Sequence, residues 1–266
     1  MNYFVEGLQG SGKSTLVRKI QELSSGYTIV REGDYSPVEL AWCAYVDAPV
    51  YAQILEKYAE IRGQIEEKTV TEGEKKIICH TQILTDIPGF HKDLEQYEIY
   101  NGRIPYDKFR SILLRRYRTW HADHMIFECS LFQNTVEDML LFRCASDAEV
   151  TDLYRQVAKV LADKEVHVLY LETEDIKGNL DVIRRERADE AGNELWYPLM
   201  CAFFDNSPYA RANGLHGEED LLRHFQHRQE LELHILKALF SGKYTILQSK
   251  DYRQEDLALL LKNNES

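Results

Sequence analysis

Apolar positions set the rhythm of this chain from its first residues. Tyr3 to Val5 is a short aromatic and β-branched run, the pattern of a buried strand. Gly7 to Gly12 interrupts it, and Leu16, Val17, Ile20 and Leu23 then recur at helical spacing until Gly26 stops the helix. The opening therefore reads strand, glycine loop, helix. Further strands are predicted at Tyr27 to Val30, Met125 to Phe127, Val166 to Leu171 and Tyr244 to Leu247. Ser36 and Glu39 have capping-box spacing around Pro37 and predict a helix start. Asp47 and Pro49 open another helix, with Ile54, Tyr58, Ile61 and Ile65 on one face. Ile112, Leu113, Tyr117 and Trp120 mark a helix, as do Val136, Met139 and Leu140. Ser146 and Glu149 form a second capping box, leading Val150, Tyr154, Val157 and Leu161. Leu180 and Ile183 lie on a helix that runs into the charged stretch Arg184 to Glu190. Leu222 to Leu239 predicts a long helix and Leu257 to Leu261 a last one. Residues 69–104 carry the weakest pattern, with Gly73, Pro88, Gly89, Gly102 and one short apolar pair, Ile77 and Ile78.

Strands alternating with helices imply the α/β class, with a parallel sheet covered on both faces. At 266 residues, with no repeat, low-complexity stretch or linker, the chain reads as a single domain over 1–266. Within it, a helical insertion is expected near residues 36–120 and a mobile segment from Asn179 to Gly214. The net charge of -12 argues against a nucleic-acid binder and against docking on anionic membrane. No apolar run approaches the roughly 20 residues of a membrane span. The five cysteines are odd in number and form no Cys-x-x-Cys, which fits reduced thiols in the cytosol. A strand beginning at Asn2 leaves no room for a signal peptide, and a cytoplasmic location is the expectation.

Gly7-Leu8-Gln9-Gly10-Ser11-Gly12-Lys13-Ser14 satisfies the P-loop pattern in full, between a predicted strand and a predicted helix. Glycines at 7, 10 and 12 let backbone N–H groups close around phosphate oxygens. The helix that begins near Lys13 points its positive end at the same anion. Lys13 adds charge at the β- and γ-phosphates, and the Ser14 hydroxyl suits Mg²⁺. Ser11 and Thr15 complete the nucleotide-binding stretch. ATP and Mg²⁺ are the cofactors this motif calls for.

Ligands of open parallel sheets bind beyond the carboxyl ends of strands. Arg31, Glu32 and Asp34 follow the second strand, and Glu128 ends the third. Phosphorylation of a neutral hydroxyl benefits from a nearby base. Glu32 is the first candidate and Asp34 the second. Glu128 is placed to hold Mg²⁺, through water, or the acceptor. Arg184, Arg185 and Arg187 suit a lid that clamps a transferring phosphoryl group and excludes water. A second cluster, Arg115, Arg116 and Arg118, reads as surface.

These segments resemble the deoxyribonucleoside kinase and thymidylate kinase superfamily of P-loop kinases. Phe4-Val5-Glu6-Gly7 through Lys13-Ser14-Thr15, with Arg31-Glu32-Gly33, looks like the thymidylate kinase opening and its loop after the second strand. Glu32, Pro37-Val38 and Trp42 are similar to the nucleoside kinase Glu-Pro-Val…Trp segment, where Glu is the base and Trp lines the substrate pocket. Phe127-Glu128-Cys129-Ser130 is similar to Phe-Glu-Arg-Ser, with Cys129 in the arginine's place. Ile183 to Glu190 looks like the family's lid. The resemblance implies a three-layer fold with a five-stranded parallel sheet, ATP, Mg²⁺, catalytic Lys13, Glu32, Glu128, Arg185 and Arg187, and often a homodimer. Arg31, Asp34, Trp42 and Arg184 would contact a small nucleoside-like or nucleotide-like acceptor.

Three other functions are open to the same residues. A nucleoside monophosphate kinase would need Arg31 more than Glu32. The acceptor hydroxyl could belong to an antibiotic or another metabolite. A nucleotide-gated switch would transfer to nothing. Asp86-Ile87-Pro88-Gly89 fits the Asp-x-x-Gly of GTPase switches, but no Asn-Lys-x-Asp segment accompanies it. His121 with His124, and His224 with His227, have metal-site spacing without further ligands nearby in sequence, and are read as ordinary histidines.

Overall fold

In the computed structural model, residues 1–24, 26–189, 191–194 and 196–264 are described. Glu190, the end of the expected charged stretch, lies outside them. The chain divides into two compact units, one of residues 1–29 with 121–266 and one of residues 30–120.

The first unit opens with β1 (Asn2–Gly7), α1 (Lys13–Leu23) and β2 (Thr28–Val30), whose last residue passes into the second unit. The second unit holds β3 (Ala44–Asp47), α2 (Ala48–Lys57), α3 (Arg62–Glu67), β4 (Thr69–Glu72), β5 (Lys75–Ile78), α4 (Phe90–Glu95) and α5 (Tyr106–Thr119). The first unit resumes with β6 (Met125–Glu128), α6 (Gln133–Glu137), α7 (Asp147–Val160), β7 (Val166–Glu172) and α8 (Ile176–Glu186). It ends with α9 (Trp196–Asp205), α10 (Pro208–Asn213), α11 (Gly217–Leu239), β8 (Tyr244–Gln248) and α12 (Gln254–Asn264).

The main sheet has five strands in the order β2-β6-β1-β7-β8, and β1 runs parallel to β6 and β7, as β7 does to β8. Alternate residues of β1 face opposite layers. Tyr3 and Val5 pack with Leu16, Val17 and Ile20 of α1 and Leu257 and Leu261 of α12. Phe4 stacks on Phe127 on the other side, at 5.0 Å between ring centres. On β7, Tyr170 meets Phe132 and donates a 2.7 Å hydrogen bond to Glu232 of α11. Helices thus cover both faces, and the fold is a three-layer α/β arrangement around a five-stranded sheet. The Ser146–Glu149 capping box forms at the start of α7 as its spacing predicts.

The second unit departs from the sequence reading. The insertion expected to be helical carries a three-stranded antiparallel sheet, β3-β5-β4, packed by Ile54, Leu55, Tyr58, Ile65, Phe90 and Leu94. No helix starts at Ser36. The Ser36 hydroxyl does accept from the Val38 and Glu39 N–H groups, each at 3.3 Å, but the Ser36 carbonyl is taken by the Arg116 guanidinium instead of by a helical N–H. The predicted helix from Asp47 to Ile65 has its Asp47 cap, bonded to the Val50 N–H at 3.1 Å, yet it breaks at Tyr58 and resumes as α3. Arg116, read as surface, is 3% exposed and ion-paired to Glu72. Two short helices, α9 and α10, occupy much of the segment expected to be a mobile lid.

Candidate active site

Burial on both faces drives β1 through the sheet centre and delivers the glycine loop at its carboxyl end. Gly7 has φ 139°, and a Cβ there would lie 2.6 Å from the Leu171 carbonyl oxygen on β7. Gly10 has φ 75°, and a Cβ there would fall 1.6 Å from Ile183 Cδ1 on α8. Both positions therefore require glycine on two counts, conformation and space. The Ser11 N–H closes a turn onto the Leu8 carbonyl at 3.2 Å, and the Leu16 N–H bonds the Gly12 carbonyl at 2.9 Å as α1 begins. Gly12 stands at the N-cap, so the first N–H groups of α1 point toward the loop.

Lys13 is 7% exposed, and its ammonium donates to the Gly7 and Leu8 carbonyls at 2.9 and 2.7 Å. Ser14 donates its hydroxyl hydrogen bond to Glu128 Oε1, joining the first turn of α1 to the end of β6. Thr15 is exposed on the same turn. Cys129 follows Glu128 with φ 61° and is held by its N–H on the Val5 carbonyl at 3.1 Å, so the chain turns sharply just past the carboxylate. A P-loop hydroxyl beside a buried strand-end carboxylate is a fitting donor set for Mg²⁺ or a water bound to it. The glycine loop and Lys13 fit a triphosphate.

Two groups that the sequence reading left without a role brace this loop, and a third braces the segment after Glu128. Asn179 donates to the Gln9 carbonyl at 3.0 Å, and Ser249 to the Ser11 carbonyl at 2.8 Å. Glu6 is fully buried on β1 and accepts from the Leu131 and Gln133 N–H groups at 2.7 and 3.3 Å, fixing the segment after Glu128. Burial raises the Glu6 carboxyl to about 7, aided by the nearby Glu232 charge and opposed by the Leu131 and Phe132 backbone N–H groups and by Lys13. A carboxylate inside an otherwise apolar strand was the available signal for Glu6.

Behind the loop runs a buried charged network. Arg228, fully buried on α11, bonds Glu137, and its Nε lies 3.2 Å from Glu232 Oε1 without hydrogen-bond geometry. His224 holds the other Glu137 oxygen at 2.8 Å. Burial alone would raise Glu137, but His224 and Arg228 carry it down to about 2.

The expected lid arginines lie at the end of α8. Arg184 is tied to Glu194, Asp181 and Glu218 at 3.0 to 3.3 Å and covers the Tyr197 ring. Arg185 donates to the Asp181 carbonyl at 3.1 Å, and Arg187 lies 4.6 Å over the Trp196 ring. Among the described residues neither Arg185 nor Arg187 is in an ion pair.

In the second unit the loop after β2 gathers the expected acceptor-side residues. The Trp42 indole N–H donates to Glu32 Oε1 at 3.0 Å, with Trp42 at φ 63°, a rare conformation for a bulky side chain. The Arg31 N–H bonds Asp34 at 2.8 Å, and Gln82, which the sequence reading missed, donates to the other Asp34 oxygen. Glu32 and Arg31 are exposed.

No family model and no curated protein matches the chain. Among solved structures, a deoxyadenosine kinase from M. mycoides with bound dCTP aligns over 100% of this chain and 99% of its own, at 13% identity and a TM-score of 0.41. What the site can do follows from its own residues.

Proposed function

We propose that this chain is an ATP-dependent kinase that transfers the γ-phosphoryl group to a hydroxyl of a small nucleoside-like acceptor. One observation carries the reading: the Ser14 hydroxyl and the Glu128 carboxylate are hydrogen-bonded at the amino end of α1, directly after a complete glycine loop with Lys13 inside it. Chemistry on a triphosphate tail needs that combination of backbone donors, ammonium, hydroxyl and carboxylate. Loop N–H groups of Gly10 to Ser14 and the Lys13 ammonium would bind the β- and γ-phosphates. Ser14 and Glu128 would hold Mg²⁺, Glu128 through a water. The ion, when bound, neutralises charge on the phosphoryl oxygens.

Glu32 is the base in this reading. Its carboxylate takes the acceptor hydroxyl proton as that oxygen attacks the γ-phosphorus and ADP leaves. Trp42 supports the role by fixing Glu32 Oε1 with its indole N–H and lining the acceptor pocket. Arg31, Asp34 and Arg184 are assigned to acceptor contact, and Arg185 and Arg187 to closing over the phosphates. Two guanidiniums without ion pairs among the described residues suit the last role.

The test is a coupled ADP-release assay across nucleosides, nucleoside monophosphates and other hydroxyl compounds, run on the full chain and on Glu128→Gln, Glu32→Ala and Arg31→Ala. Acceptor-dependent release, cut about 100-fold or more by Glu128→Gln and Glu32→Ala, is expected. Activity that survives Glu32→Ala but fails in Arg31→Ala moves the acceptor to an anionic monophosphate. Release that no acceptor stimulates overturns the kinase reading in favour of a nucleotide-gated switch.

A further inference from the structure

The second unit contains a cavity of about 530 Å³ that none of Arg31, Glu32, Asp34 and Trp42 lines. Its volume falls within the roughly 300–1,000 Å³ of small-molecule sites. It is bounded by the turn between β4 and β5, the carboxyl end of α5 and the loop around Tyr35. Three aromatic side chains, Tyr35, Tyr45 and Trp120, line it beside three cations, Arg115, Arg116 and Lys75. Two carboxylates, Glu72 and Glu74, complete the charge, leaving one net positive in a chain of net charge -12.

The commitments of these groups decide what the cavity would take. Glu72 is engaged by Arg116 and by the Tyr35 hydroxyl. Arg115 touches only a neutral acceptor in the lining, the Tyr45 hydroxyl at 3.0 Å, and the Lys75 ammonium lies 5.5 Å over the Tyr45 ring. Among the described residues neither Arg115 nor Lys75 is in an ion pair. Arg116 is 3% exposed, and its Nε is buried without a hydrogen-bond partner among the described residues. A buried guanidinium N–H left unmet, next to two cations outside any such ion pair, calls for an anion. Aromatic walls call for a flat ring.

We propose that this cavity is a second small-molecule site, for a planar aromatic ring that carries a phosphate or a carboxylate. The ring lies among Tyr35, Tyr45 and Trp120, and the anionic group meets Arg115, Arg116 Nε and Lys75. Neither the phosphate loop nor Glu32 lines this cavity, so binding here is separable from phosphotransfer.

The test is carried out in the Lys13→Ala background, which weakens binding at the glycine loop. Tryptophan fluorescence and calorimetry follow titration with adenosine 5′-monophosphate, an indole carboxylate, uncharged adenosine and inorganic phosphate. Arg115→Ala and Lys75→Ala are made in the same background, with circular dichroism to show that each folds. Arg116 is left intact because it holds Ser36 and Glu72. At least one ring-bearing anion should bind about tenfold or more tighter than adenosine and phosphate, and each cation variant should weaken it about tenfold. The phosphate-bearing and carboxylate-bearing probes separate the two sources of charge. Equal binding of adenosine, indifference to both substitutions, or no binding by either anion at about 10 mM overturns the proposal.

Discussion

Glu6→Gln changes the pH dependence of stability in a direction the structure dictates. Burial lifts the Glu6 carboxyl from 4.5 to about 7 in the folded chain. A carboxyl whose folded pKa is raised takes up a proton on folding. Its favourable contribution is complete below pH 4.5 and is lost as pH rises through 7. At about 1.4 kcal/mol per pH unit, that loss amounts to about 3 kcal/mol across the window. Glutamine keeps one carbonyl oxygen for the Leu131 N–H but cannot accept from the Gln133 N–H, a pH-independent cost of about 1 kcal/mol. The variant should therefore be less stable than the parent by about 1 kcal/mol well below pH 4.5, level with it near pH 5, where the parent has already lost about 0.8 kcal/mol, and more stable at pH 8 by about 2 kcal/mol, so that the two stability curves cross. The comparison must be a difference, because His167 works the other way. Burial lowers it to about 4, so its contribution grows as pH rises from 4 to 6.5 and masks Glu6 in the parent alone. His167 is common to both proteins and cancels. Urea denaturation at pH 5, 6, 7 and 8 measures the difference. A gap that stays constant to within about 0.5 kcal/mol would mean that Glu6 is ionised throughout, and the account of its burial would be wrong.

Lys13→Ala should abolish binding of a magnesium-bound non-hydrolysable ATP analogue while leaving the thermal midpoint within a few degrees of the parent, as calorimetry would report. Gly10→Ala should disrupt the loop through the 1.6 Å approach to Ile183 Cδ1, and adding Ile183→Ala should restore part of the analogue affinity, leaving only the positive-φ strain of roughly 1–2 kcal/mol. Arg228→Ala strands Glu137 and Glu232 as buried carboxylates and should cost about 3–5 kcal/mol in urea denaturation.

What was legible in the sequence is what local chemistry specifies. A loop that wraps an anion between a buried strand and a helix leaves its glycines, its lysine and its apolar spacing in one short stretch, and β1, α1, β6 and β7 stand where that spacing places them. Glu128 was legible as a strand-end carboxylate, and its bond to Ser14 joins residues 114 apart that were each singled out. The second unit was not legible because its structure is made by distant partners. β3 pairs with β5 across about 30 residues, and Lys75 and Lys76 in β5 hide the strand from an apolar pattern. Ser36 and Glu39 have the spacing of a helix start, but Arg116, 80 residues on, claims the carbonyl that such a helix needs. A cation read as surface by its neighbours in sequence is interior by its partners in space.

The grip of α8 on the phosphate loop bears on how the arginines beyond it can move. Asn179 and Ile183 are buried, one bonded to the Gln9 carbonyl and the other filling the space that Gly10 leaves empty. Moving the whole of residues 179–214 as a lid would break that hydrogen bond and open an apolar void at the loop. In the proposed kinase a hinge would therefore belong after Ile183, near the end of α8 at Glu186, beyond the residues that hold the loop. Placed there, a hinge would carry Arg187 while Asn179 and Ile183 stay on the glycines. Arg184 is restrained by three carboxylates, and its release would have to break all three ion pairs. Among the described residues Arg185 and Arg187 are in no such ion pair, and in the proposed kinase they, and not Arg184, would be the guanidiniums to meet a transferring phosphoryl group.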